Sequence, residues 1–528
     1  MGTINREKQE AVLDLVKCMS KAEKRNFKLY AGRLAGNEES KFIALFNYLD
    51  SAQEYDEAKV LQRCPNIKKV QLPNLKAHLY KQILVSIKLL NVQHSLPMQL
   101  REQTDFARIL YDKGLYRQSS KVIDKVIQQG QELEQHTIVL DAIELEKQID
   151  SVKYHSEGEP ASTFDSYKEL TDAQCRNIES ENQLSEVASQ LFSLHLKLGY
   201  ARSRKDLDMI MQYFRPRLEE FSRMTLNFTE KVHLYQAWAW YYYIRHDFLH
   251  TYQYASRWVA LYDRNPLMKE LTYDSYLKGY AYILDGLFYM RKYRPFVARL
   301  KKFEMECGFV GNINDNAVII SRQILYAGRM NKHFFEGSFT QGLEMIDKTE
   351  RFLERFAMQI PLHNKMLLNY KMACLWFGAG NYQRCMEYLG RITETRNPQI
   401  RRDLQCYAKM LYLICSYEAG IDYNLDYQIR SVYAFLVKMN DMHQVQKELL
   451  AFLKRLGHIY QKELRGELEQ LYMRLKVYEN DPYERRTFLY LDILSWLEGK
   501  ITGETVEQVI QRKFRDNNRK VREGGGRK

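Results

Sequence analysis

Two histidines in this chain, His246 and His250, stand at a spacing that could bind a metal ion. They are four residues apart and would share one face of a helix running through both. The repeat register described below instead places a turn between them, and no third ligand stands nearby. No Cys-x-x-Cys pair and no His-Glu-x-x-His motif occurs. The sequence therefore predicts no metal site and a solvated histidine pair.

A glycine-rich phosphate-binding loop or a nucleophile elbow would indicate catalytic chemistry. Gly499-Lys500 lacks the glycine five residues earlier that a phosphate loop needs. Neither Gly-x-Ser-x-Gly nor Gly-x-Gly-x-x-Gly occurs. We therefore expect no cofactor and no catalytic residues, and predict that the chain is not an enzyme.

The C-terminal stretch 511–528 is strongly basic, with eight Lys and Arg residues against two acidic ones. Its basic residues include Arg512, Lys513, Arg515, Arg519, Lys520 and Arg522. Because it holds almost no apolar residue, it is expected to be a disordered basic tail. Such a tail can bind phosphate backbones by counterion release, but Phe514 is its one aromatic residue, so base stacking is not indicated. A solubilising tail and a tail for an acidic protein partner are the alternatives.

An aromatic residue recurs along the chain within a frame of apolar positions. The series is Tyr116, Phe248, Tyr293, Phe339 and Tyr382. Its last three gaps are 45, 46 and 43 residues, and the first gap, of 132, is three times 44. The residues nine before and seven after each aromatic are almost all small or apolar. This recurring set of positions predicts helical hairpins in which each aromatic residue begins the second helix.

The clearest unit runs from Asn369 to Pro398. It holds Ala373, the pair Trp376-Phe377, the turn Gly380-Asn381-Tyr382, then Cys385 and Leu389. This pattern resembles the tetratricopeptide repeat of uncharacterised bacterial proteins. The resemblance implies an all-α fold: an α-solenoid of stacked antiparallel helical hairpins, right-handed, with a period of about 44 residues.

The resemblance also implies that the first helix of each hairpin lines an inner groove. In this frame, the partner-binding groove residues are Gln236, Trp240, Tyr282, Asp285, Asn331, Tyr370 and Lys371. The Lys and Asn pairs with which some family members hold a terminal carboxylate appear only as isolated matches, in different repeats. We therefore predict no such clamp. Ordinary solvated groove residues are the alternative interpretation.

Composition fits a long helical chain. The 528 residues carry a net charge of +13 and include only 10 Pro and 25 Gly. We predict an N-terminal helical cap region over 1–95, a tetratricopeptide-like array over 96–440, a C-terminal helical cap over 441–510 and the tail. A helix-turn-helix DNA reader is the alternative for the first segment.

Ser275–Met290, the best membrane-span candidate, is interrupted by two charges. Eight scattered cysteines fit a reducing compartment, so we expect a cytoplasmic protein without membrane contact.

These features predict a non-enzymatic scaffold that binds a protein partner, as a peptide or helix, in the concave groove of the array. The alternative is a nucleic-acid- or ribosome-associated protein that uses its basic C-terminal tail.

Overall fold

The chain folds into helices that belong to two compact units, 1–177 and 178–528. The computed structural model describes residues 11–33, 37–157, 163–201, 203–308, 314–394, 400–421, 425–439, 442–455, 460, 462–481, 484, 488 and 492–524. Within these ranges there is no β-strand, so the predicted all-α class is confirmed. None of the helices in these ranges combines the length and the apolar character needed to cross a membrane.

The first unit begins with short helices and continues with longer ones. Its helices are α1 (11–18), α2 (Lys21–Ala31), α3 (Asn37–Ser51), α4 (Glu57–Arg63), α5 (Leu72–Asn91), α6 (Leu96–Asp112), α7 (Tyr116–Glu132), α8 (His136–Glu157) and the N-terminal part of α9 (Thr163–Leu198). Ser20 and Glu23 form a reciprocal capping box at the start of α2. Phe27 and Phe46, with ring centroids 4.8 Å apart, lie in the core formed by the first five helices.

The second unit begins within α9 and holds the remaining helices. These are α10 (Arg204–Phe221), α11 (Phe228–Ile244), α12 (Phe248–Arg264), α13 (Pro266–Leu271), α14 (Tyr273–Tyr289), α15 (Tyr293–Cys307), α16 (Asp315–Glu336), α17 (Phe339–Gly342), α18 (Ile346–Arg355), α19 (Leu362–Gly378), α20 (Tyr382–Thr393), α21 (Arg402–Glu418), α22 (Leu425–Lys438), α23 (Gln444–Arg455), α24 (Leu464–Lys476), α25 (Ile493–Thr502) and α26 (Val506–Gly524).

Each of the five recurring aromatic residues is the first residue of a helix: α7, α12, α15, α17 and α20. The residue two positions earlier always has a left-handed backbone; these residues are Gly114, His246, Arg291, Gly337 and Gly380, with φ between 56° and 80°. A left-handed residue ends one helix and reverses the chain, and glycine adopts it without steric cost. His246 and Arg291 adopt it although they carry a Cβ, so the repeated turn geometry outweighs a local cost of about 1 kcal/mol.

Three of the helices that precede these turns, α14, α16 and α19, form a row with α21 within the second unit. In chain order, α14 packs on α16, α16 on α19 and α19 on α21. Small residues allow the close approach: a Cβ on Gly279 would lie 2.9 Å from the ring of Trp258. The helices of each pair also contact one another, as in α11 with α12 and α19 with α20. Each helix of the row therefore directs some of its side chains toward a common interior.

The C-terminal stretch differs from the sequence-based expectation. Helix α26 continues through the predicted disordered tail as far as Gly524, and 525–528 lie outside the described residues. Intramolecular contacts join the first residues of this stretch to the fold: the Arg512 guanidinium lies 2.7 Å from Glu498 and 2.6 Å from Glu504, and the Phe514 ring packs 4.7 Å from Tyr293. The division between units falls inside α9, where the sequence suggested no boundary. The predicted boundaries at 95, 440 and 510 stay a prediction.

A candidate ligand cavity

A cavity of ≈ 770 Å³ lies inside the second unit. Its walls come from the second half of α9 and from α11, α14, α16 and α19, together with Arg401, which directly precedes α21. Of these, α11, α14, α16 and α19 come directly before turns described above, so for these four helices the turn register decides which side chains reach the interior. Volumes of this size are typical of sites that bury a small ligand or a short segment.

The cavity brings together six of the seven residues that the sequence frame assigned to a groove. Gln236, Trp240, Tyr282, Asp285, Asn331 and Lys371 all line it. Tyr370 does not. It is buried among the helices and lines a smaller neighbouring cavity of ≈ 90 Å³, which shares Tyr289, Leu367 and Lys371 with the large one. The positions of these side chains are thus described, and their role in binding a partner stays a prediction.

Long-range contacts between α9 and the far end of the row close one side of the cavity. The rings of Phe192 and His363 lie 6.4 Å apart, edge to face. The backbone N–H of Arg401 donates to the carbonyl of Leu196 over 3.1 Å. The Arg401 guanidinium makes two 3.0 Å contacts with the carboxylate of Asp403, and both side chains are almost fully buried. This closure joins residues about 200 positions apart in sequence.

Charged and amide side chains gather at one end of the cavity. The Lys371 ammonium donates to the side-chain oxygen of Asn331 over 2.5 Å. The carboxylate of Asp285 accepts a 3.2 Å hydrogen bond from the Tyr243 hydroxyl. Burial raises the pKa of Asp285 and lowers the pKa of Lys371, and the two opposite charges partly counteract these shifts. This end of the cavity therefore holds ionisable groups in a poorly solvated environment.

Two histidines face the same interior in their neutral form. Burial, with a contribution from the nearby Arg401 charge, lowers the pKa of His195 to about 4. The same two causes lower the pKa of His363 to about 4. The Nδ1–H of His195 donates to the carbonyl of Gly199 over 2.7 Å, which leaves Nε2 as an acceptor. Both histidines are uncharged at neutral pH.

Aromatic rings and paired amides line the remaining wall. The indole of Trp240 lies 5.0 Å from Phe192 and 6.4 Å from Tyr282, measured between ring centroids. The Gln236 amide donates to Ser275 over 3.0 Å, and the Asn364 amide donates to Gln323 over 2.6 Å. Aromatic walls with a few oriented polar groups suit a ligand that has both apolar and hydrogen-bonding parts.

The sequence frame missed several residues of the cavity. Phe192, His195, His363 and Arg401 line it but stand outside the aligned turn positions. Arg401 comes just before a helix, and α9 belongs to the degenerate part of the pattern. No sequence signal could have joined these residues, because their proximity arises from packing between distant helices.

The histidine pair and the basic stretch are arranged differently from the sequence-based picture. The predicted turn does separate His246 from His250. His246, however, is buried rather than solvated, with its ring 4.2 Å from Tyr200, because the turn points it into the core. The basic stretch lies outside the cavity lining. In it, Arg512 and Lys513 both lie near Glu498, whereas the Arg515 side chain is exposed.

Among the residues that the structure describes, no group of three or more His, Cys, Asp and Glu side chains could hold a metal ion. No family model, no curated protein and no solved structure matches this chain. The cavity and its side chains are therefore the basis for an inference about function.

Proposed function

We propose that the protein is a non-enzymatic, cytoplasmic scaffold that binds a segment of a partner protein in the cavity of the second unit. The observation that carries this proposal is that six groove residues, chosen by their place in a repeat frame, line one cavity. Four helices contribute them, α11, α14, α16 and α19, as expected when a partner is held across several helices.

The same row of helices supports the tetratricopeptide-like interpretation of the sequence. Helix pairs with short turns, left-handed residues before the second helix and small residues at close crossings are features of stacked helical hairpins. In this proposal the pairs form a solenoid with a period of about 44 residues, and the cavity is the inner side of that solenoid.

The polar groups of the cavity wall favour an extended segment over a helix, because an extended backbone presents free N–H and C=O groups whereas a helix satisfies most of its own. An extended segment fits the cavity better, because its backbone groups can meet amides such as Gln236 and Gln323 and its apolar side chains can meet Trp240 and Tyr282.

Selection of peptides against the purified chain tests the proposal. A phage-displayed library of random peptides is panned on the full chain, and enriched peptides are measured by isothermal titration calorimetry. The double variant Trp240→Ala/Tyr282→Ala removes two aromatic side chains from the cavity wall. Loss of such anchors costs about 2 kcal/mol or more, so affinity should fall roughly 30-fold or more.

Tyr213→Ala serves as the matched control. Tyr213 is an aromatic residue of α10 whose side chain is exposed and lies outside the cavity lining. Peptides that bind the control and the unaltered chain equally, but lose affinity for the double variant, would support the cavity as the partner site. Equal binding to all three proteins, or no enrichment of any peptide, would reject it.

The alternative, a nucleic-acid- or ribosome-associated protein, depends on the basic stretch. Its charge is partly compensated within the fold, because Arg512 and Lys513 lie beside Glu498. The alternative predicts that affinity for generic RNA falls steeply with salt and is lost on deletion of 511–528. A flat response to salt would remove it.

A further inference from the structure

The Lys371 ammonium is held in the protein interior without an ion pair. Its side chain extends from α19 and the residue is only 8% exposed. The ammonium contacts the Asn331 side-chain oxygen and lies 5.6 Å and 5.7 Å from the ring centroids of Phe288 and Phe334. Within the described part of the chain, no carboxylate oxygen lies within 4.0 Å of it. An ammonium has three N–H donors, so this group can donate to further acceptors.

Asp285 presents the complementary case on the neighbouring wall. It lies on α14, one turn before Phe288, and accepts a hydrogen bond from the Tyr243 hydroxyl. Over the described ranges, no Lys, Arg or His nitrogen lies within 4.0 Å of its carboxylate. A carboxylate offers about four lone-pair positions, so it too can accept further hydrogen bonds.

Buried charges are costly unless oppositely charged groups and hydrogen bonds compensate them. Lys371 and Asp285 influence one another electrostatically, but no direct ion pair joins them. A ligand with only one charge would compensate one of them and leave the other. A ligand with an ammonium and a carboxylate on the same carbon atom would compensate both.

We propose that the charged end of the cavity binds a zwitterionic α-amino acid with an apolar side chain. Its carboxylate accepts from the Lys371 ammonium, and its own ammonium donates to the Asp285 carboxylate. Its side chain lies against the aromatic wall that includes Tyr282 and Trp240. This small ligand goes beyond the partner segment of the proposed function and does not depend on it, because Lys371 and Asp285 would bind its two charges whether or not a peptide binds the same aromatic wall.

Calorimetry with the full unaltered chain tests the charge requirement. The probes are L-leucine, L-phenylalanine and L-tryptophan, each compared with the amine that lacks its carboxylate and the acid that lacks its ammonium. A lost contact with a charged group weakens binding roughly 10- to 100-fold. We expect at least one amino acid to bind at least about tenfold more tightly than both of its one-charge analogues. This comparison requires no variant to fold.

Two variants assign the contacts to residues. Lys371→Met should remove the preference for the amino acid over its amine, because the carboxylate loses its donor. Asp285→Asn should remove the preference over the deaminated acid. Lys409→Met is the control, since Lys409 is also a partly buried lysine beside an aromatic ring, Phe435, but lies outside the cavity lining. It should leave both preferences unchanged.

The outcomes separate this proposal from the proposed function. If none of the three amino acids binds, or if the one-charge analogues bind equally well, the zwitterion site is rejected. Peptides selected on the cavity could still bind in that case, and partner binding would survive. Binding of an amino acid with the expected preferences, without enrichment of any peptide, would support the small-ligand site and reject the partner segment.

Discussion

The buried ion pair between Arg401, which lines the cavity, and Asp403 yields a sharp prediction about stability. The two side chains are 7% and 0% exposed and meet through two contacts of 3.0 Å. Removal of one partner leaves a buried charge without its counter-ion, which costs about 3–5 kcal/mol. Replacement of both partners leaves no charge, so its cost should be far below the sum of the single costs.

We therefore expect Asp403→Asn and Arg401→Met each to lower the free energy of unfolding by about 3–5 kcal/mol. The double variant should lower it by no more than the larger single effect, which is a strong coupling between neighbouring sites. Urea unfolding followed by tryptophan fluorescence measures this directly. All five tryptophans of the chain, Trp238, Trp240, Trp258, Trp376 and Trp496, lie in the second unit, so the signal reports that unit.

The exposed pair Arg215–Glu219 is the matched control. Its partners are 51% and 42% exposed, so solvent screens their charges and its removal should change the stability very little. If the costs of Asp403→Asn and Arg401→Met simply add in the double variant, or if neither exceeds the cost of the control, the two charges do not stabilise the fold as a buried ion pair.

Two further predictions concern acid stability and close packing. The pKa of His195 is about 4 in the folded chain and 6.5 in the unfolded chain, so the unfolded chain binds the proton first as the pH falls. The neutral, buried His195 therefore contributes roughly 3 kcal/mol to the free energy of unfolding above pH 6.5, and this contribution is lost as the pH falls towards 4. His195→Asn should flatten the pH dependence of urea unfolding in that window, and an unchanged slope would contradict the assignment. Gly378→Ala would place a Cβ 2.3 Å from the Phe339 ring and should destabilise the fold by about 1–3 kcal/mol. Gly390→Ala in α20 meets nothing closer than 3.8 Å and should stabilise the fold by about 0.5–1 kcal/mol. Thermal unfolding of both variants measures these opposite effects.

Local patterns in the sequence were sufficient to predict the elements and part of the cavity. The spacing of Tyr116, Phe248, Tyr293, Phe339 and Tyr382 predicted where second helices begin, and each of them does begin one. The same frame identified six cavity residues, because positions on one face of a helix follow from its 3.6-residue period alone. Few glycines and prolines also indicated the all-α class correctly.

Local patterns failed where contacts between distant residues decide the outcome. The basic stretch looked too polar to fold, yet α26 is ordered by ion pairs and a ring contact with helices that the stretch itself does not encode. Tyr370 fitted the groove frame but lines the smaller neighbouring cavity instead, since the direction of a side chain differs between adjacent positions of one helix.

What the sequence by itself determined is therefore the all-α class, the five aligned turns and part of the face that the helices before them present, all of which depend on residues a few positions apart. Only the tertiary structure decided that α9 meets the start of α21, that Arg401 and His195 share an interior with Lys371 and Asp285, and that this interior is a bounded cavity. The physical reason is that periodicity specifies which side chains share a helix face, whereas closure depends on the summed packing angles of many helices.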